Sequence, residues 1–366
     1  MGVKTMSVNS AAVLQALAGI TDPYTHKKLD VSHEGCEVSI VGNEVDIRLV
    51  LAYHTRDAQG SFFTRIQQAL STLGANLRNL NFDPKVISHE VQQGLRPIPG
   101  VRNIIAVASG KGGVGKSTTS VNLALALQQQ GARVGLLDAD IYGPSVPTML
   151  GLNERPRNID NKMMAPVENH GLQANSIGFL IGEDAPAIWR GPMVTQALTQ
   201  LLTQTAWDNL DYLIIDMPPG TGDIALTMAQ KVPLTGAVVV TTPQDLALID
   251  ARRGLAMFQK VDVPVLGVVE NMSVHVCSQC GHAEAIFGQH GGRDMAEKYN
   301  VPWLGALPLA MSIRHQTDAG NPTVVADPDS TEAKLYLDIA SKVAANVAIL
   351  PVDTSGSRPK VVPRPL

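Results

Sequence analysis

The sequence is poor in cysteine and carries little excess charge. Only three cysteines occur among 366 residues, Cys36, Cys277 and Cys280. Such sparse use argues against a secreted protein held by disulfides and favours a reducing compartment, the cytoplasm. The formal net charge is -4, so no basic field predicts nucleic acid as a partner.

Long apolar runs are also missing. No stretch reaches the about 18 uncharged apolar residues that a membrane span requires, and the N-terminus lacks the continuous apolar segment of a signal peptide. We therefore expect no membrane partner. The chain is nevertheless 45% hydrophobic, which is enough for well-packed cores in about two or three domains.

The chain divides into four predicted regions. Residues 1–85 form a small α/β accessory domain, with helices near 11–17 and 60–73 and strands at 36–41 and 44–51 that are joined by a turn at Gly42 and Asn43. Residues 86–101 are rich in proline and glycine and are predicted to be a linker. Residues 102–350 form the large domain. The Pro-rich residues 351–366 are predicted to be a disordered tail.

The large domain alternates apolar strands with helical patterns. Runs such as "IIAVAS", "YLIID" and "AVVVTT" are continuously apolar and end in polar or small residues. This pattern is typical of buried parallel strands whose carboxyl-end loops carry the chemistry. We predict an α/β fold with a doubly wound, mostly parallel sheet, of the P-loop NTPase type.

The stretch "IIAVASGKGGVGKSTTSVNLALAL" has the spacing and context of a P-loop, because it lies between a strand and a helix. Its glycines allow backbone N–H groups to surround phosphates, Lys116 supplies a cation, and Ser117 can ligate magnesium. A plain glycine-rich turn is the alternative. The predicted nucleotide-binding residues are Gly110, Lys111, Gly112, Gly113, Val114, Gly115, Lys116, Ser117 and Thr118.

The string GKGGVGKST contains a second lysine, Lys111, which an ordinary P-loop does not need. It resembles the deviant Walker A motif of the MinD/ArsA class of ATPases. This resemblance implies that Lys111 reaches across a dimer interface and stabilises charge on the partner's nucleotide. The alternative is a solvated loop lysine.

Acidic residues follow two other predicted strands. Asp138 and Asp140 lie in "GLLDADIYGPS". In "DYLIIDMPPGTGD", Asp216 directly follows the four apolar residues "YLII". Asp216 has the placement to hold Mg²⁺ directly or through water, and the Gly220 amide is predicted to meet the γ-phosphate. The family resemblance implies that Asp140 orients the attacking water and that Asp223 belongs to a switch. Asp138 and Asp223 are equally explained as turn or helix caps.

Asn271 follows the predicted strand "VLGVVE" and should border the nucleotide crevice. A side-chain amide can pair with the edge of adenine, and the related ATPases use an asparagine there. Pro243, Gln244 and Asp245 either line the same pocket or form a simple turn.

Cys277 and Cys280 form a lone C-x-x-C pair in "CSQCG". Tetrahedral zinc and the common iron-sulfur clusters need four ligands, so two must come from elsewhere. Candidates are His275 and His282 in a zinc site, exogenous thiols, or a second copy of the chain. A thioredoxin-like dithiol and an inert surface turn are further alternatives.

Motifs over about 101–345 resemble, in one order, those of the Mrp/ApbC family of iron-sulfur cluster carrier ATPases. They are "SGKGGVGKST", "LLDADIYGPS", "IWRGPM", "DYLIIDMPPGTGD", "TTPQDLALIDARRG" and "ENMS" followed by "CSQCG". The resemblance implies a slow cytoplasmic ATP hydrolase that works as a homodimer. Cys277 and Cys280 of both subunits would bridge one [4Fe-4S] cluster, received from a donor and delivered to apo-proteins. The implied catalytic residues are Lys111, Lys116 and Asp140.

Two other functions fit parts of the sequence. The first is a MinD-like positioning or partitioning ATPase with a structural zinc site, although the C-terminal sequence is not a basic amphipathic helix. The second is a small-molecule kinase. The accessory domain has no cysteine in "LAYHTRDAQGS", where the related domain carries one, so we expect partner docking from it. Arg190 in "IWRGPM" is either a loop anchor or a partner contact.

Overall fold

The computed structural model describes residues 8–57, 59–141, 143–152, 154–160, 162–179, 191–277 and 279–354. Its N-terminal unit contains a three-stranded sheet and two helices. Gly42, with φ of 65°, makes the turn between the first two strands, which are antiparallel, and the third strand is parallel to the second. The elements are α1 (Ser10–Ala18), β1 (Cys36–Val41), β2 (Glu44–Leu51), α2 (Ser61–Ser71) and β3 (Asn76–Pro84).

The sequence did not predict β3, which lies at an edge of this sheet. Its sequence "NLRNLNFDP" is mostly polar, and within this strand only Leu77 is buried. An edge strand with a solvated face has no need of the apolar run that marks a buried strand.

An eight-stranded sheet forms the large domain, in the order β13-β10-β9-β4-β8-β5-β7-β6. Only its edge strand β6 is antiparallel to its neighbour, which confirms the predicted mostly parallel sheet. The strands are β4 (Val101–Ser109), β5 (Val134–Asp138), β6 (Val167–Asn169), β7 (Leu172–Ser176), β8 (Leu210–Asp216), β9 (Gly236–Thr241), β10 (Val265–Glu270) and β13 (Trp303–Ala306).

Helices flank the sheet, and a small hairpin lies beyond β10. The hairpin strands are β11 (His275–Val276) and β12 (Ala283–Glu284). The helices are α3 (Lys116–Gln129), α4 (Val146–Met149), α5 (Gly191–Gln204), α6 (Asp223–Lys231), α7 (Asp245–Lys260), α8 (Gly291–Lys298), α9 (Met311–Asp318), α10 (Thr323–Ala326) and α11 (Thr331–Ala348), with a 3-10 turn at Ile177–Phe179. Among the described residues, no helix has the length and hydrophobicity that crossing a bilayer demands.

Alternation along the central strand β4 divides the interior into two cores. Ile105 and Val107 belong to the core that includes residues of α3 and α11. Ile104 and Ala106 belong to the core that includes residues of α5, α6 and α7. Because both faces of the strand are covered, its sequence is continuously apolar, which is why it could be recognised.

The N-terminal unit packs against the large domain on the side where the parallel strand β8 begins. Thr55 Oγ1 lies 3.0 Å from Ser341 Oγ of α11, and His54 Nε2 lies 3.4 Å from Asp211 Oδ2, near the start of β8. Gln130, directly after α3, also donates to Ser341 Oγ, at 2.9 Å. Buried residues of the N-terminal unit and of α3 and α11 form one continuous hydrophobic cluster.

The segment predicted to be a linker is held against the large domain by hydrogen bonds. The Glu90 N–H donates to the Pro351 carbonyl at 2.9 Å, and the Asp353 N–H donates to the Ser88 carbonyl at 3.1 Å. Gln92 bonds the large domain through both ends of its amide, at 2.7 and 2.9 Å. The first residues of the predicted tail are thus hydrogen-bonded to the predicted linker, and the boundaries of the four regions stay a prediction. Residues 355–366 lie outside the described residues.

Candidate functional site

The glycine-rich loop joins β4 to α3 and requires glycine for two reasons. Gly113 and Gly115 both have φ of 79°, in the left-handed region. A Cβ atom on Gly110 would lie 2.1 Å from the Asp250 carbonyl carbon, and one on Gly115 would lie 2.1 Å from Asn271 Nδ2. No side chain caps the start of α3, so its first N–H groups and the helix dipole can receive an anion.

Lys116, the first residue of α3, is buried in a cluster of polar groups around Asp216. Its Nζ lies 2.7 Å from Asp216 Oδ1 and 3.8 Å from Asp140 Oδ2. Ser117 donates to Asp216 Oδ2 at 2.6 Å. Asp216, at the end of β8, is fully buried. The structure therefore brings together the predicted phosphate lysine, the predicted magnesium ligands and Asp140.

Sequence reasoning missed Ser120, which also contacts Asp216. Its hydroxyl lies 2.7 Å from Asp216 Oδ1 and 3.0 Å from the Lys116 carbonyl. Residues four apart on a helix share a face, so the spacing from Lys116 to Ser120 could have predicted that Ser120 lies beside the lysine. Thr118, another predicted site residue, is half-buried in the same first turn.

Asp138 shapes the loop that carries Asp140. Its carboxylate accepts hydrogen bonds from the N–H groups of Asp140 and Val146, both at 3.1 Å, and from Ser176 Oγ at 3.0 Å. Burial, and next the negative charge of Asp216, raise the pKa of Asp138 to about 7. These contacts fit the turn-capping interpretation of Asp138.

The structure describes three further residues that were predicted for the site, Lys111, Gly220 and Asp223. Lys111 is half-buried, and no ion pair to it is found among the described residues. The Gly220 N–H, predicted to meet the γ-phosphate, donates to the Ser109 carbonyl at 2.9 Å in this structure. Asp223 is exposed and begins α6. Arg190 lies outside the described residues.

Asn271 connects the glycine-rich loop to β10. Its Nδ2 donates to the Val114 carbonyl at 2.9 Å, and its N–H donates to the Thr241 carbonyl at 2.7 Å. The residue is buried. Its adenine contact stays a prediction, since the observed partner of the amide is the loop itself. Gln244 is the cap residue of α7, as expected for a turn.

The cysteine pair lies in the hairpin formed by β11 and β12. The Cys277 N–H donates to the His282 carbonyl and the Gly281 N–H to the Cys277 carbonyl, both at 2.9 Å. Cys277 is half-buried and Cys280 is exposed. N–H groups of Cys280 and Gln279 that bond the Cys277 sulfur lower the pKa of its thiol. The structure therefore presents two thiols at the surface, one of them disposed to ionise.

The surroundings of the cysteine pair bear on the alternatives for its role. Within the described part of the chain, no three His, Cys, Asp or Glu side chains are grouped to hold a metal ion. The pair also lies in a β-hairpin and not at the start of a helix, so the thioredoxin-like alternative loses its structural basis. Cys36, by contrast, is buried in β1, and burial raises the pKa of its thiol to about 11, as expected for a core residue.

The chain from Asn271 to the hairpin is fixed on one side. The Ser273 N–H donates to the Leu307 carbonyl at 2.9 Å, and the Leu309 N–H donates to the Val274 carbonyl at 2.8 Å. Met272 has φ of 56°, a left-handed conformation that is rare for a side chain of this kind. The thiols thus follow a short, well-anchored path from the glycine-rich loop.

Sequence comparisons place these features in a known group of proteins. A family model described as "ParA: NUBPL iron-transfer P-loop NTPase" matches residues 100–344. The iron-sulfur cluster carrier protein of Haemophilus influenzae is 64% identical over 251 residues, 68% of this chain and 68% of that protein. The carrier protein of Synechocystis sp. is 45% identical over 347 residues, 92% of this chain and 98% of its own.

Solved structures agree on the fold. A nucleotide-binding protein from Archaeoglobus fulgidus in complex with ADP is 35% identical, with a TM-score of 0.56, over 63% of this chain and 90% of that one. The Pyrococcus furiosus cell division ATPase MinD, 24% identical with a TM-score of 0.51 over 66% of this chain and 98% of its own, is similar in fold.

Proposed function

Because this chain belongs to the family of NUBPL iron-transfer P-loop NTPases, we propose that it hydrolyses ATP and carries an iron-sulfur cluster for transfer to apo-proteins. The observation that carries this proposal is the position of the two surface thiols. They lie on a hairpin that begins a few residues after Asn271, whose side chain bonds the glycine-rich loop. One short segment thus joins a phosphate-binding loop to a pair of metal-ligating side chains.

The nucleotide site has the groups that ATP hydrolysis needs. ATP phosphates would bind at the amino end of α3, with Lys116 moving from Asp216 to the phosphate oxygens. Ser117 Oγ and Asp216 Oδ2 lie 2.6 Å apart, and two adjacent oxygens suit Mg²⁺, which prefers oxygen ligands. When bound, Mg²⁺ neutralises charge on the phosphates. Asp140, within 3.8 Å of Lys116, would orient the attacking water.

The cluster site is a half-site. Cys277 and Cys280 supply two thiolates, whereas a [4Fe-4S] cluster takes four. A second copy of the chain would supply the same two thiolates about a two-fold axis. Gly112 and Gly113 of the glycine-rich loop are exposed, so the loop is accessible to a second subunit. We therefore propose a homodimer that bridges one cluster and works in the cytoplasm.

Nucleotide state should control how firmly the cluster is held. A phosphate that displaces the loop around Val114 would shift Asn271 through their 2.9 Å hydrogen bond. The change would then pass along the anchored segment to the thiols. A nucleotide can shift the balance between a conformation that holds the cluster firmly and one that holds it loosely only by as much as its affinities for the two conformations differ. The MinD-like positioning function has less support, because the matched relatives are named cluster carriers.

The proposal is tested by anaerobic reconstitution with iron and sulfide. We expect the protein to bind iron and sulfide, to show the absorbance of a cluster, and to pass the cluster to an apo-ferredoxin at a rate that differs between ATP, ADP and no nucleotide. Protein that takes up no iron, or that transfers it at one rate in all three conditions, would contradict the proposed function.

Lys111→Ala tests the dimer separately. If Lys111 acts on the partner's nucleotide, its removal should leave ATP affinity within about threefold and lower turnover by about 10-fold or more, because the contact exists only in the closed dimer. Equilibrium ATP binding and steady-state turnover measure the two effects. Lys260→Ala, at an exposed position at the end of α7, is the matched control. Equal losses of affinity and turnover would exclude a role across the interface.

A further inference from the structure

Glu270, the last residue of β10, makes a contact that no part of the proposed chemistry uses. Its side chain is buried, with 3% of the residue exposed. One carboxylate oxygen, Oε2, accepts a hydrogen bond of 2.6 Å from the Gly292 N–H. Gly292 is in the first turn of α8, so the negative charge lies at the positive end of that helix dipole.

This contact joins the two ends of the segment that carries the cysteines. The chain leaves the sheet after Glu270, forms the hairpin with Cys277 and Cys280, and returns at α8. A Cβ atom on Gly292 would lie 3.0 Å from Glu270 Cβ, tighter than ordinary van der Waals contact. The missing side chain at Gly292 therefore lets the carboxylate reach the helix.

The return side of the segment is held by packing around the same point. A Cβ atom on Gly291 would lie 2.6 Å from Leu248 Cδ1 and 2.7 Å from the Pro243 carbonyl oxygen, so α8 begins in close contact with the start of α7. The outgoing side is held by Asn271 at the glycine-rich loop. Glu270 directly precedes Asn271 in the chain, and its carboxylate accepts a hydrogen bond from the Gly292 N–H. It therefore links the outgoing side of the segment to the return side.

Burial raises the pKa of Glu270, and the Gly292 N–H is the largest influence that opposes this shift. His290 precedes α8 and favours the ionised form, and Asp294 of α8 opposes it. A buried acid is costly unless it is well bonded. Its hydrogen bond with the Gly292 N–H accordingly holds the two ends of the cysteine segment together.

We propose that Glu270 is a positioning residue that fixes the return side of the cysteine segment, so that a movement of Asn271 reaches the thiols and is not absorbed at α8. The inference rests on the proposed function and adds to it a residue that touches neither nucleotide nor cluster. Without the bond, the return side of the cysteine segment is held by the packing of α8 against the start of α7 but is no longer linked to Glu270 and Asn271. The response of the hairpin to nucleotide is then lost.

The test compares cluster release with and without ATP in reconstituted full-length protein. Glu270→Ala removes the acceptor, Glu270→Gln keeps an oxygen that can accept from Gly292, and Glu297→Ala removes an exposed acid from the same helix. The readout is the ratio of the rates at which a ferrous-iron chelator removes iron in the two conditions. We expect the ratio to fall to about 1 in Glu270→Ala, to be largely restored in Glu270→Gln, and to keep its wild-type value in Glu297→Ala.

A merely structural role would change other quantities instead. The KM for ATP and the thermal midpoint are therefore measured on the same samples. We expect a larger relative change in the ratio of iron-release rates than in either of these two quantities. If Glu270→Ala does not fold, Gly292→Ala decides, since its added Cβ pushes α8 away from Glu270. A wild-type ratio in a folded Glu270→Ala, or in Gly292→Ala where that variant decides, would overturn the inference alone. A wild-type protein that binds no iron would overturn the proposed function.

Discussion

Lys116→Ala is expected to lower ATP hydrolysis by about 100-fold or more and to abolish nucleotide-dependent cluster transfer, while iron uptake by the thiols persists. Lys116 Nζ is the buried cation nearest to Asp216, at 2.7 Å, and it begins the helix that should bind the phosphates. No alternative cation contacts Asp216 in the described residues. Steady-state hydrolysis and iron content after reconstitution separate the two activities.

The same substitution should also destabilise the protein. Asp216 is fully buried, and removal of one partner of a buried ion pair typically costs about 3–5 kcal/mol. Thermal melts must therefore accompany the kinetics, and Lys116→Ala combined with Asp216→Asn should recover part of the lost stability without recovering activity. Lys260→Ala serves as the exposed control. Wild-type hydrolysis by Lys116→Ala would remove the basis for the assignment of the phosphate site.

Cys277→Ala and Cys280→Ala should each remove the cluster almost completely. A half-site that keeps one thiolate offers two ligands of four in a dimer, too few for the cluster. The reconstituted wild type should contain about four irons per dimer, and removal of iron by a chelator should shift it toward the monomer. Iron and sulfide analysis together with size exclusion measures both effects.

The chain offers its own controls for the cysteine variants. Cys36→Ala removes a thiol that is buried in β1, and His282→Ala removes a flanking imidazole, so both should keep the cluster. A cis zinc site predicts the opposite pattern: one zinc per monomer, no colour, and loss of metal in a histidine variant. Stoichiometric zinc in a monomer that keeps its metal through size exclusion would contradict the bridged cluster.

Most residues of the candidate nucleotide site could be proposed from the sequence because the patterns that mark them are local. The glycine spacing, the apolar strands and the acids at their ends are each visible within about ten residues. The contacts of Glu270 and of Asn271 could not be predicted in this way, because Gly292 and Val114 are distant in the sequence and meet them only in the folded sheet. An acid at the end of a strand is too common to mark such a contact.

The contacts of the predicted linker and the strand β3 were not predicted for a related reason. Proline and glycine in 86–101 suggested a linker, and the structure shows that backbone hydrogen bonds with Pro351 and Asp353 hold part of this segment in place. Such pairing depends on residues far along the chain, which composition does not reveal. Strand β3 was missed for the complementary reason, since an edge strand needs few apolar residues.

The N-terminal unit is packed against the large domain, and its position limits the ways in which a recipient apo-protein could take up the cluster. A flexible tether would raise the effective concentration of a bound recipient near the thiols. Here His54 and Thr55 fix the unit at the end of the sheet where β8 begins, whereas the cysteine hairpin follows the opposite end of β10. The seven residues of β8 alone span about 20 Å. A recipient held by this unit would therefore need to extend around the large domain, or else find the hairpin by independent diffusion.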